Sequence, residues 1–122
     1  MAMRARLKST TAGRRAKAAP ASARVQFGLT RKVFARLSGL SERTLATWEG
    51  GGAVGEPARR SLTAAARLLH ELAAVIRKPA LAGWLDTPND GFGGLKPLEV
   101  IERGETDRLW RMIYFLGSGT AS

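Results

Sequence analysis

Glu42 and Arg43 stand where side chains could read nucleic-acid bases. A guanidinium can bridge guanine O6 and N7, and a carboxylate can accept from cytosine N4. Both lie just inside a segment, Ser41–Glu49, that begins with a capping residue and continues with helical spacing. Thr44 and Thr47 follow on the same exposed side. A helix used to read a major groove presents such residues from its first two turns. Arg31 and Lys32, at the start of the preceding helix, sit where phosphate contact is expected. Ser41 could both cap its helix and touch phosphate. The competing reading is that these residues are the solvated face of a small helical hairpin.

Catalytic constellations are poorly represented. His70 is the only histidine, beside Glu71 and with no cysteine in the chain. A lone histidine on a helix is more often structural or exposed than catalytic. Glu99 and Glu102 share a helix face, which is normally a solvated one. Read as a calcium loop, Asp86–Pro97 places prolines where ligands are needed. Gly91–Gly94 lacks the Lys-Ser/Thr pair and the flanking strand of a phosphate loop. The expectation is therefore no enzyme, no cofactor and no metal.

The elements that would hold the base-reading residues are legible. Thr30 caps a helix over 31–38 with Val33, Phe34 and Leu37 as its apolar stripe, and Ala35 is small where two helices cross. Gly39 permits a positive φ at the turn, and Leu40 plugs the corner. The second helix, over 42–49, turns Leu45 and Trp48 inward and ends at Gly50–Gly52, which reads as a flexible break. Pro57 suits the first turn of a third helix over 57–78, with Leu62, Ala65, Leu69, Leu72 and Ile76 on one face. Pro79 stops or kinks it.

A short helix follows over 80–86, with Leu81, Trp84 and Leu85 apolar. Residues 87–95 form a turn region, and Pro97 opens a short helix closed by Gly104. A last helix over 106–116 buries Leu109, Met112, Ile113 and Leu116. Trp110, Tyr114 and Phe115 fall off that stripe, so at least one should remain available as a partner surface. No useful stretch alternates with a period of two, so the fold class is all-α.

The net charge of +10 over 122 residues is unevenly placed. Residues 1–24 carry Arg4, Arg6, Lys8, Arg14, Arg15, Lys17 and Arg24 and no acid, whereas residues 79–122 are net acidic. A basic front attracts phosphate, and an acidic back suits other work. The division that results is a disordered basic tail (1–24), a helix-turn-helix module (25–56), a connecting core helix (57–79) and a C-terminal domain (80–122). An organellar transit peptide is the lesser reading of the tail. With no cysteine there is no disulfide or thiolate metal site. No apolar run approaches the roughly 20 residues of a membrane span, and no signal peptide is evident. The expectation is a soluble cytoplasmic protein with no membrane role.

Leu29–Gly51 resembles the Xre-type, or Cro/repressor-like, helix-turn-helix, with Ser41-x-Arg43-Thr44-Leu45 fitting closely. Trp84-Leu85-x-Thr87-Pro88-Asn89, then Gly94-x-x-Pro97-Leu98, then Gly104 before a helix closing at Gly117, resembles the toxin-binding domain of the Xre/MbcA/ParS antitoxin family. The two resemblances cover residues 29–117. They imply an antitoxin of a type II toxin–antitoxin system that binds a toxin of the RES or a related NAD-consuming class. They also imply a repressor that binds its own operator DNA. In the family the closing helix and C-terminal end approach the toxin's active-site entrance. The matching positions are Leu109–Ser122, with Arg108, Arg111, Tyr114, Phe115, Ser118 and Ser122 as candidate toxin contacts. Half-site reading would favour a homodimer. The other reading is a solitary transcriptional regulator whose C-terminal domain dimerises or binds another protein.

Overall fold

Local capping fixes the first helical pair. The computed structural model describes residues 24–117; the predicted basic tail up to residue 23, and Ser118 and Ser122, lie outside them. Helix α1 is Arg31–Ser38 and α2 is Glu42–Glu49, at the predicted bounds. The Thr30 hydroxyl accepts from the Val33 backbone N–H at 3.1 Å, satisfying a donor that has no intrahelical partner. Gly39 closes α1 at φ 76°, in the left-handed region, with its N–H bonded to the Ala35 carbonyl. Ser41 then caps α2 by accepting from the Thr44 N–H at 3.0 Å.

The glycine run after α2 is a defined turn rather than a loose break. Gly51 takes φ 91° and donates to the Trp48 carbonyl, while Gly52 donates to the Thr47 carbonyl at 2.8 Å. This pair of bonds is a Schellman closure, which satisfies carbonyls left over at the helix end. A Cβ at Gly52 would lie 2.6 Å from Thr47 Cγ2, so the third glycine is required by close approach.

Helix α3, Glu56–Leu72, is the central rod. It ends short of the predicted residue 78. Residues 73–75 form a turn, and Ile76 N–H still reaches the Leu72 carbonyl. Pro79 does not stop a helix but sits in the first turn of α4, Lys78–Leu85, where its missing N–H costs nothing. The 87–95 region contains a 3-10 turn, Asp90–Phe92. Helix α5 is Pro97–Glu102 and α6 is Thr106–Gly117. All regular elements among the described residues are helical.

One apolar cluster runs through every helix. Phe34, Leu45, Leu62, Leu69, Leu72, Leu81, Leu85, Leu98 and Leu109 are fully buried within it. The α1–α2 pair is therefore not insulated from the C-terminal half: α1 packs on α3 and also on α5. On α6, Leu109 and Ile113 are buried and Met112 half-buried, but Leu116 is exposed, against expectation. The stripe continues beyond the buried part of the helix, so its last member is left half exposed.

Candidate functional site

The candidate base-reading face is held by α2. Glu42, Arg43 and Thr47 are exposed, while Thr44 is half-buried. The Ser41 hydroxyl is occupied twice: it accepts from Thr44 N–H and donates to Thr44 Oγ1 at 2.9 Å. Its part is thus structural in the free protein, since both uses bend it towards the helix. Arg31 and Lys32 are exposed at the start of α1. The structure thus brings Arg31, Lys32, Glu42, Arg43 and Thr47 onto the surface of one helical pair.

Glu49 organises the edge of that face, and sequence reasoning did not single it out. Its carboxylate accepts from Arg24 Nε at 2.7 Å and Nη2 at 2.8 Å, and from Arg31 Nη2 at 3.0 Å. Arg24 also donates to the Leu29 carbonyl at 3.2 Å. The Arg24 hydrogen bonds hold Glu49 below the usual carboxylate range; burial opposes this and Arg31 adds to it. Arg24 in turn is held above the usual guanidinium value, chiefly by its bond to Glu49. The signal was present in the sequence: an acid in the last turn of a helix opposes the helix dipole, which calls for a cation partner. Arg31 is consequently engaged with Glu49 in the free chain.

The candidate partner surface is the outer side and end of α6. Tyr114, Phe115 and Leu116 are 70%, 58% and 52% exposed, a run of large apolar side chains on the surface. Tyr114 and Phe115 meet edge-on with ring centroids 6.0 Å apart. Trp110 instead packs against the core, with the Arg67 guanidinium 5.8 Å from its ring centroid. Arg111 is exposed and pairs with Asp107 one turn back at 2.7 Å. Arg108 is half-buried; it donates to Glu105 at 2.8 Å and lies 5.6 Å from the Phe92 ring centroid. These contacts give Arg108 an internal role beside its candidate external one.

Residues once weighed for catalysis have structural partners. His70 meets the Phe27 ring edge-on at 5.3 Å. The Glu99 carboxylate accepts from the Lys96 N–H at 2.7 Å, closing the start of α5. Glu102 pairs with Arg36 at the surface, between α5 and α1. Among the described residues, no group of three His, Cys, Asp or Glu side chains is placed to hold a metal ion. No described helix is long and apolar enough to cross a membrane.

A comparison with protein-family models gives no match, and a comparison with curated proteins gives no relative. Among solved structures, the chain is similar to a chain of the crystal structure of the M. tuberculosis MbcT-MbcA toxin-antitoxin complex. The two superpose with a TM-score of 0.71, covering 84% of this chain and 94% of that one, at 24% sequence identity. The likeness is one of fold: this all-helical chain has the architecture of a component of that complex.

Proposed function

We propose that this chain is an antitoxin, a binding protein that neutralises a cognate toxin by direct contact and represses its own operon by binding operator DNA. The observation that carries this reading is the likeness of fold to a chain of a toxin-antitoxin complex, over nearly all of that chain. Two features support it. A pair of capped helices that resembles the Xre-type helix-turn-helix, with Arg43 exposed on the second helix, is suited to base edges. An apolar run at the end of α6, Tyr114–Leu116, is suited to a protein partner. The toxin would be of the RES or a related NAD-consuming class, and the protein would work as a homodimer in the cytoplasm.

Purification of the tagged protein from its native host tests the reading. A protein that co-elutes stoichiometrically and arrests growth when expressed alone is the expected result. Elution alone, or with DNA only, would make the chain a solitary regulator and leave the α6 end to dimerisation.

A further inference from the structure

A groove of about 790 Å³ runs between α3 and α6, across the end of α1. Its floor is apolar, built from Leu68, Ile101 and Trp110. One wall is basic: Arg59, Arg60 and Arg67 line it from the outer side of α3. None of the three has an ion-pair partner among the described residues; Arg67 is engaged only with the face of Trp110. Glu56 is the acid of this lining and pairs with none of them. Arg24, Arg36, Arg108 and Arg111, by contrast, all have carboxylate partners, while Arg43 and Arg77 stand singly elsewhere on the surface. What sets this groove apart is the clustering of three unpaired guanidinium groups beside one apolar floor.

The geometry points to a docking surface for an acidic amphipathic helix of another protein, with its apolar side on Trp110 and its carboxylates on Arg59, Arg60 and Arg67. Arg59 and Arg67 are eight positions apart on a helix, a span of about 12 Å at the rise of an α-helix. A helix laid alongside would bring carboxylates one or two turns apart within reach of that row. Guanidinium groups bind carboxylates in two-point fashion, and more strongly beside apolar surface than in open water.

Other occupants fit less well. Residues 1–23 are basic without an acid and would be repelled by the arginine row. Residues 118–122 carry neither an acidic nor a large apolar side chain. A second copy offers its apolar run at Tyr114–Leu116, but the acid on that helix, Asp107, is already paired with Arg111. Nucleic acid would satisfy the arginines and leave the apolar floor uncovered. The inference does not depend on the antitoxin reading, since the charge and shape of the groove are properties of the free chain.

The test uses the full chain labelled with nitrogen-15 and follows the indole N–H of Trp110, assigned by Trp110→Phe. The probe is a synthetic amphipathic helix with leucine on one side and glutamate on the other. The expected result is a saturable shift of the Trp110 signal, with affinity falling as salt is raised. Arg60→Gln with Arg67→Gln should weaken it about tenfold, the scale expected for lost charge-assisted bonds. A lysine-for-glutamate version of the probe should not bind. The proposal is overturned by no saturable shift, by equal binding to the double variant, or by equal binding of the lysine probe. Tighter binding of a DNA duplex at the same signal would make the surface a nucleic-acid site instead. A concentration-dependent shift without probe would make it a contact between copies.

Discussion

Arg36 on α1 and Glu102 on α5 form a two-point ion pair, Nε to Oε2 at 2.7 Å and Nη2 to Oε1 at 2.9 Å. The two residues are 66 positions apart, so the pair joins the α1–α2 pair of helices to the C-terminal half. It lies over a core those two parts already share through the α1–α5 contact. Removal of the chain beyond α3 would strip Leu81, Leu85, Leu98 and Leu109 from that core. Function is therefore better dissected with surface substitutions than with truncations.

The Arg36–Glu102 coupling is expected to be small. The two side chains are 34% and 40% exposed, so solvent screens much of the Coulomb term. A double-mutant cycle with Arg36→Gln and Glu102→Gln, read by urea unfolding, should give about 0.5–1 kcal/mol. The coupling should shrink at high salt. A coupling that rises with salt would contradict an electrostatic origin.

Glu49 should make stability depend on pH. Its pKa is lowered in the folded state, first by the Arg24 hydrogen bonds. The unfolded chain therefore holds the proton more tightly than the folded one. The contribution is complete above the usual carboxylate value of 4.5 and is lost as pH falls through the lowered folded-state value. Glu49→Gln should cost about 1–3 kcal/mol at neutral pH, because the side chains of Arg24 and Glu49 are largely covered. The gap between wild type and variant, measured by chemical unfolding, should narrow steadily below pH 4.5. A gap independent of pH would show that the carboxylate charge is not the cause.

Two glycines separate backbone strain from crowding. At Gly39 a Cβ would meet nothing within 4 Å, but φ is 76°. Gly39→Ala should therefore cost about 1–2 kcal/mol from backbone conformation alone. Gly39→Asn should recover part of it, since asparagine tolerates that region. Gly52 has an ordinary φ, but its Cβ would crowd Thr47 at 2.6 Å. Gly52→Ala should shift Thr47 and cost roughly 1–3 kcal/mol by overpacking. Thermal unfolding of the three variants separates the two causes.

If α2 reads DNA, Arg43→Ala should weaken operator binding by about 1–3 kcal/mol and relax preference at one base position. Lys32→Ala should weaken binding to all sequences alike and lower the salt dependence. Titration of labelled operator and scrambled duplex at several salt concentrations checks both. Unchanged operator affinity would remove Arg43 from the base-reading set.

The first two helices were legible to the residue because their ends are set locally. Thr30, Gly39 and Ser41 each act within a few positions of themselves, and each forms the bond its type implies. The third helix was overextended because the apolar repeat of Leu69, Leu72 and Ile76 continues through the break at 73–75. Periodicity marks which side is covered, not where the backbone turns. Pro79 was ambiguous for a related reason: a proline that cannot continue a helix is well suited to start one. Leu116 was misplaced because helical spacing alone does not say how far the supporting core extends. The pairs Arg24–Glu49 and Arg36–Glu102 join residues 25 and 66 positions apart, beyond the reach of spacing rules. The candidate surfaces were half legible. The exposed faces of α2 and α6 follow from periodicity, but the basic wall of the groove emerges only when α3 and α6 are set side by side.

The central claim is that this chain neutralises a toxin through the end of α6. The most direct measurement is growth of cells expressing the co-purifying toxic protein, with and without this chain. The full chain should restore growth. Tyr114→Asp with Leu116→Asp should fail to restore it while unfolding at the wild-type temperature, because both side chains are exposed. Failure of the full chain to restore growth, or full protection by the folded double variant, would contradict the account.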